Sequence, residues 1–421
     1  MTRYNLNLTP YEKSLLEGSA GEACALSMRI ICGMAEVLGA ERLVEISSAH
    51  IDGCLYHGPS GVDFAERLVA GGGCVRVPSS TNVGALDLIH PGNVRLESET
   101  RELAKRLMNA YVALGCKPTW TCAPYDAGYR PKLGEHIAWA ESNAVVFANT
   151  VLGARTERYG DFMDICAAIA GRAPYSGLHV DANRCATLVI DTSGLSDRLK
   201  EEESFYPALG AWLGRATQEH VPVIVGLPAT VAEGALKAMG ASAASTGAVG
   251  LFHVVGRTPE AATLEIALGG KPAGDFIALT VGAVREARDG LSSSNASDID
   301  AIALGSPHFS LADVERFEQL RNGRKLRIPV YVCTGRHVLD ALRPRSLDRV
   351  LEEAGVALVV DTCVVVTPVI PGGSGVLMTN SGKFAHYARP NIGFEVVFGS
   401  LAECVETAVA GKLVRDEKAW S

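Results

Sequence analysis

Aromatic side chains are scarce. Phe, Trp and Tyr make up 6% of the chain, too few for the stacking platforms on which single-stranded nucleic acids are held. Positive charge is not in excess either. With 39 Lys and Arg against 47 Asp and Glu, the formal charge is −8, so no broad basic field draws in nucleic acid or an anionic membrane surface. A local pocket for a small anion remains compatible with that balance. No apolar run reaches the ~18 residues that span a bilayer, and residues 1–13 are polar, without the apolar core of a signal peptide. Neither a CxxC pair nor the glycine spacing of a phosphate loop is present. These absences lead to the expectation of a cytoplasmic protein with no nucleic-acid or membrane partner.

The 421 residues, 48% hydrophobic with 44 Gly, exceed what one core usually supports, so two or three domains are expected. Eleven cysteines in a chain without export signals point to a reducing compartment, where thiols are packing, catalysts or metal ligands rather than disulfides.

Thr9-Pro10 supplies an N-cap hydroxyl and a proline for the first helical turn. Apolar residues continue at helical spacing through Leu15, Ala20, Ala23, Leu26, Ile30 and Met34 to a stop near Gly39. Leu43-Val44-Glu45-Ile46 reads as a strand delivering a polar loop that holds His50, Asp52 and Gly53. Further strands are expected at 144–147, 221–225, 250–255, 301–304, 330–332 and 357–360, with helices such as 232–239 and 311–320 between them. This alternation implies an α/β fold of mostly parallel sheets flanked by helices, with sites in loops beyond the carboxyl ends of strands. Soft boundaries divide it into an N-terminal region 1–200, a middle region 201–297 and a compact C-terminal unit 298–421. The charged run 197–204 and the Ser/Asn-rich stretch 291–297 are the hinge or linker candidates.

Several residues qualify for chemistry. Cys333 and Cys363 each follow a strand, and Cys122 sits in a loop closed by Pro124. Thiolates are the soft ligands that iron–sulfur centres use, although buried cysteine is more often plain packing. The helical Cys24, Cys32, Cys166 and Cys404, with Cys116 and Cys185, are assigned to packing, while Cys54 and Cys74 adjoin polar glycine-rich loops and stay open. Glu141, Ser142, Asn143, Asn149 and Arg155 flank an apolar run. Arg155 can either clamp a carboxylate through its planar fork or pair with an internal Asp or Glu. His50 and His308 are acid–base candidates by residue type. Asn82 stands in a run of hydroxyl-bearing residues, and Ser381 and Lys383 place a cation beside hydroxyls.

Taken together, the segments Trp139 to Thr156, Ala173 to His179 and Leu251 to Glu260, with the loops holding Cys122 and Cys363, resemble the aconitase X family along nearly the whole chain. The resemblance implies a multi-domain aconitase-like large subunit working with a small swivelling domain, fused in some members and a separate chain in others. It also implies an iron–sulfur cluster of undetermined type in cysteine ligands. The expected reaction is dehydration of a small hydroxy-carboxylate, either cis-3-hydroxy-L-proline or phosphomevalonate. Cys122 and Cys363 match the family cysteines. The phosphomevalonate branch carries a cysteine just before the Pro-His pair, where this chain has Ser306, which makes Cys333 the choice for a third ligand and favours the hydroxyproline branch. On this reading Lys383 or Arg155 holds the substrate carboxylate, while Asn82, Ser142, Asn149 and Ser381 orient the substrate. His50 or His308 assists the leaving hydroxide; the base that takes the α-proton is left unassigned, since in the wider superfamily a serine of the swivelling domain supplies it. A metal-free α/β lyase and a noncatalytic subunit are the rival classes.

Overall fold

The computed structural model describes residues 4–218, 220–272, 274–418 and 420. Two compact units emerge from the pattern of internal contacts: Met1–Ala85 with Glu97–Cys185, and Leu86–Leu96 with Ala186–Ser421.

The first unit opens on the expected cap. Thr9 accepts from the Glu12 amide while the Glu12 carboxylate accepts from the Thr9 amide, and Pro10 begins the helix Pro10–Leu16. The single long helix read from the sequence is in fact two. Gly18 and Gly21 take φ of 94° and 93°, a left-handed backbone that breaks the ladder before the helix Glu22–Val37 starts. Strand Leu43–Glu45 pairs antiparallel with Arg172–Pro174. A three-stranded parallel sheet follows in the order Ser79–Thr81, Ala49–Ile51, Ala138–Trp139, so His50 lies within a strand rather than in a loop. The strand expected at 144–147 is instead the helix Ser142–Phe147, extended by a π-helical turn Ala148–Leu152. The Glu141 carboxylate caps this helix by accepting from the Ala144 amide at 2.7 Å, and that cap outweighs the β preference of two valines and a phenylalanine.

The second unit contains two parallel sheets. One runs His253–Val254, Pro222–Val225, Leu188–Asp191, Asp275–Ala278. Only two residues of the expected strand 250–255 join it. The other has five strands in the order Val356–Val360, Val330–Thr334, Ala301–Phe309, Val376–Thr379, Glu395–Phe398. Its central strands are buried on both faces, as a parallel sheet between helix layers requires. Val330, Val332, Leu358 and Val360 pack there against Val314, Phe317 and Leu339 of the helices. Helices Phe205–Ala216 and Glu233–Thr246 meet backbone to backbone, since a Cβ on Gly210 would stand 2.2 Å from the Met239 carbonyl oxygen.

Both edges of the five-stranded sheet are sealed by polar groups. Along one, the Asp87 carboxylate accepts from the Val360 amide at 3.1 Å and Asn93 donates to the Leu358 carbonyl at 3.0 Å. Along the other, the Ser292 and Ser293 hydroxyls accept from the amides of Phe398 and Val396. The stretch 291–297 is therefore no loose linker at its start: its serines serve as edge partners for the sheet. The charged run 197–204 likewise forms a capped turn of helix, Asp197–Lys200, with Lys200 and Ser204 buried.

Candidate functional site

In the first unit the polar groups gather beyond the carboxyl ends of the three parallel strands. His50 is fully buried, and its Nδ1 pairs with the Ser80 hydroxyl at 2.8 Å while Nε2 has no partner. Burial holds its pKa down to about 4 against the opposing charge of Glu141, so the ring is neutral at physiological pH. Two residues on, the Asp52 carboxylate accepts a hydrogen bond from the Asn82 amide. Asn82 is buried too, and its carbonyl oxygen is left unsatisfied. Burial first, then the negative charges of Glu141, Asp161 and Asp164, push the Asp52 carboxyl up to about 7. Asp164 accepts from the amides of Asp52, Gly53 and Ile165, and burial raises its pKa to about 6.

Glu141 accepts from Ser142 and from the Asn143 side chain as well as from its helix. Asn143 donates in turn to the Cys122 carbonyl at 2.7 Å and accepts from Tyr125. The buried Cys122 loop is thereby tied to the same cap. Arg155 and Asn149 belong elsewhere in this unit. Arg155 forms an ion pair with Asp181 at 2.7 Å and donates to the Gly153 carbonyl. Asn149 exchanges hydrogen bonds with the Thr156 backbone and accepts from the buried Arg184. Of the two roles left open for Arg155, the structure displays the internal pair, and Asn149 is taken up by the fold.

In the second unit the chemistry collects at the carboxyl ends of the five-stranded sheet. Strand Ala301–Phe309 kinks at Gly305, whose φ is +89°, and a Cβ there would lie 2.0 Å from the Cys333 carbonyl oxygen; only glycine fits. The following Ser306-Pro307 bond is cis. Cys333 and Cys363 are buried neighbours. The Cys333 sulfur accepts from the Val364 amide at 3.3 Å. The Cys363 thiol is held below its ordinary range by a hydrogen bond with Cys333, helped by the Val365 amide, the Lys383 charge and the Ser306 hydroxyl, which together outweigh burial. By contrast, burial pushes the thiols of Cys24, Cys32, Cys54, Cys116, Cys166 and Cys404 upward. That contrast is what separates a prospective thiolate from packing.

His308 is buried, its Nε2 lies 3.0 Å from the Thr362 carbonyl oxygen, and burial lowers its pKa to about 3. A neutral ring donating there fixes the tautomer and steadies the peptide before Cys363. Ser381 caps the helix Gly382–Ile392 and donates to the Ser306 carbonyl. Lys237 reaches across from its own helix to donate to the His308 carbonyl at 2.7 Å, with Asp313 at 3.9 Å. A cavity of about 70 Å³ opens among Lys237, Ser306, Pro307, Asp313, Asn380 and Ser381. Among the described residues no group of three or more His, Cys, Asp or Glu side chains is arranged to hold a metal ion.

Thus Cys333, Cys363, Lys383, His308 and Ser381 come together in one unit. His50 and Asn82 come together in the other, where the Cys122 loop shares the Glu141 cap. Asp164 and Lys237 went unread in the sequence, although Asp164 is the lone charge and Lys237 the lone cation of an otherwise small or apolar helix, a signal that could have singled them out.

Models of the first, second and third domains of aconitase X match residues 5–182, 186–289 and 299–410. The chain belongs to the aconitase X family. A crystal structure of aconitase X from Thermococcus kodakaraensis in its holo-form superposes with a TM-score of 0.86 at 32% identity, covering 96% of this chain and 100% of that one. The α/β architecture is therefore that of aconitase X. Two relatives named cis-3-hydroxy-L-proline dehydratase, from Hypocrea jecorina and Pseudomonas aeruginosa, are 41% and 40% identical over 97% and 98% of this chain. The chain spans 69% and 72% of their lengths. A phosphomevalonate dehydratase large subunit from Methanothermobacter thermautotrophicus is 38% identical over 92% of this chain and 95% of its own length. These aconitase X relatives are all named dehydratases, that is, hydro-lyases. No helix among the described residues is long and apolar enough to cross a membrane.

Proposed function

We propose that the chain is the catalytic subunit of a hydro-lyase that dehydrates cis-3-hydroxy-L-proline to Δ1-pyrroline-2-carboxylate. The observation that carries this is about 40% identity along nearly the whole chain to two dehydratases named for that substrate. The serine at position 306 is in keeping with it. In the reaction the proton α to the carboxylate leaves C2, hydroxide leaves C3, and the resulting enamine tautomerises to the cyclic imine, with one water released.

The chain's own groups divide the work as follows. Cys333 and Cys363 fit an iron–sulfur centre as soft donors, since they are adjacent and buried, and Cys363 is biased toward the thiolate by its hydrogen bond with Cys333, by the Val365 amide and by Lys383. Cys122 is a further candidate ligand on the family resemblance alone. When bound, such a centre supplies Lewis acidity at the leaving oxygen. Lys383 is the better candidate for the substrate carboxylate, because Arg155 already has Asp181 as partner. His308 acts by position, holding the Thr362 peptide, and Ser381 fixes the Ser306 turn. In the first unit His50 and Asn82 each have a buried polar atom without a partner among the described residues, and Ser142 supports the Glu141 cap. A small swivelling partner, in a reducing cytoplasm, completes the enzyme. The length by which the hydroxyproline dehydratases exceed the matched region, and the large-subunit names of the other relatives, support that partner.

A second reading, phosphomevalonate dehydration, is favoured by one observation: the matched region accounts for 95% of the large subunit from M. thermautotrophicus. Incubating the protein, anaerobically purified with its small partner, with each substrate decides between them. Consumption of cis-3-hydroxy-L-proline is expected, and consumption of 5-phosphomevalonate alone would overturn the first reading. Cys333→Ser and Cys363→Ser should each lose bound iron and visible absorption, while Cys404→Ser should keep both. A brown Cys363→Ser protein would remove that residue from the ligand set.

A further inference from the structure

The buried polar cluster of the first unit is built for a positive charge. The charges that act most strongly on Asp52 are Glu141, Asp161 and Asp164, all negative. A carboxylate in such company is neutralised by a proton or by a cation. Acidity alone would identify nothing. Two independent observations point to an occupant. The Asn82 carbonyl oxygen is buried without a partner although its amide end is engaged by Asp52. The His50 Nε2, in a fully buried ring whose other nitrogen is committed to Ser80, is orphaned as well. Buried polar atoms without partners are rare in folded proteins and mark places where something is expected to bind.

A metal ion fits the set poorly. Asn82 offers one oxygen and Asp52 one carboxylate, and the Asp164 carboxylate is occupied by three backbone amides. A hydrogen-bonding organic cation fits better, because it brings both the charge that Asp52 lacks and donors for an amide oxygen.

We propose that Asp52 and Asn82, with His50 beside them, form the subsite that takes the secondary ammonium of the substrate ring. This inference rests on the reading that the substrate is a cyclic amino acid. The ring nitrogen of cis-3-hydroxy-L-proline carries two N–H donors and a positive charge. One donor goes to the Asn82 oxygen and the charge is met by Asp52. Anchoring the nitrogen fixes the face from which the adjacent α-proton departs. The subsite also selects: an anionic hydroxy acid without an amine leaves the Asn82 oxygen unpaired and meets four carboxylates, so the same residues that favour the amino acid reject it.

The experiment uses the complete enzyme and two probes that differ at one ring atom, L-proline and (S)-tetrahydrofuran-2-carboxylate, with binding measured by calorimetry and inhibition measured alongside. Wild-type protein should bind the amine at least about tenfold more tightly than the oxygen ring, the difference that a charge-assisted contact typically makes. Asp52→Asn and Asn82→Ala should each compress that ratio to about twofold and raise KM for cis-3-hydroxy-L-proline more than they lower kcat. Asp52→Glu should restore part of the preference. A wild-type ratio near one overturns the proposal. So does an Asp52→Asn protein that keeps the ratio and loses only kcat, which would assign Asp52 to proton transfer instead. If wild type discriminates between the probes yet does not turn over hydroxyproline, the subsite stands and the reaction assignment falls.

Discussion

Replacing Asp52 with asparagine should make the protein more stable at neutral and alkaline pH. The carboxyl is displaced from 3.8 to about 7, because folding removes it from water and sets it near three like charges. At about 1.36 kcal/mol per pH unit, that displacement corresponds to about 4 kcal/mol. Asp52 is half-buried, so water screens part of it, and about 2 kcal/mol is the working figure. The sign follows from which state holds the proton. Below pH 3.8 the group is neutral in both states and takes nothing away. Between 3.8 and 7 the unfolded chain ionises while the folded chain does not, so stability falls as pH rises. Above 7 both states are ionised and the deficit is constant. Asparagine is neutral throughout and still accepts from Asn82. The two proteins should therefore unfold alike near pH 4 and diverge toward pH 8, where the variant's melting temperature should be higher by about 4–8 °C for a unit of this size. Melting curves of both proteins, recorded in half-unit pH steps by circular dichroism, give the difference directly. A gap that is flat across pH, or a variant less stable at pH 8, would show that Asp52 does not carry the stored penalty assigned to it.

Two other perturbations test the surrounding framework. Arg184→Met should cost about 3 kcal/mol of stability, since it removes a buried guanidinium that donates to acceptors of Asn149 and Leu178, whereas Arg155→Ala should cost under about 1 kcal/mol because its partner Asp181 is largely exposed; thermal melts that rank them the other way would reverse these assignments. Gly305→Ala should destabilise by more than about 3 kcal/mol, because both its φ and the Cys333 carbonyl oppose a Cβ, and an alanine variant with wild-type melting would contradict that packing.

Much of the architecture could be read from periodicity. Three strands of the five-stranded sheet were legible because residues buried on both faces leave unbroken apolar runs, while Val376–Thr379 and Glu395–Phe398 were not; His308 and Cys333 lie inside the carboxyl-terminal parts of their longer strands, and only Cys363 lies beyond its strand. Capping chemistry was harder to weigh against propensity, which is why 144–147 read as a strand until Glu141 was seen to hold the helix. Two glycines with positive φ divided a helix whose apolar spacing ran straight through them. The site was legible as residue types at strand ends but not as partnerships. Nothing in the local sequence says that Arg155 meets Asp181 while Arg184 meets Asn149, or that Ser80 occupies only one nitrogen of His50. Such pairings depend on segments far apart in the chain.

Residues 86–96 lie in sequence inside the first unit yet serve as the fringe of the second unit's sheet. Severing the chain at 185 would therefore not yield two self-sufficient pieces. The downstream fragment would carry a naked Val356–Val360 border, its Val360 amide without Asp87 and its Leu358 carbonyl without Asn93, and open β borders recruit other copies. Any attempt to shuffle, permute or express that half alone has to graft this eleven-residue ribbon back on.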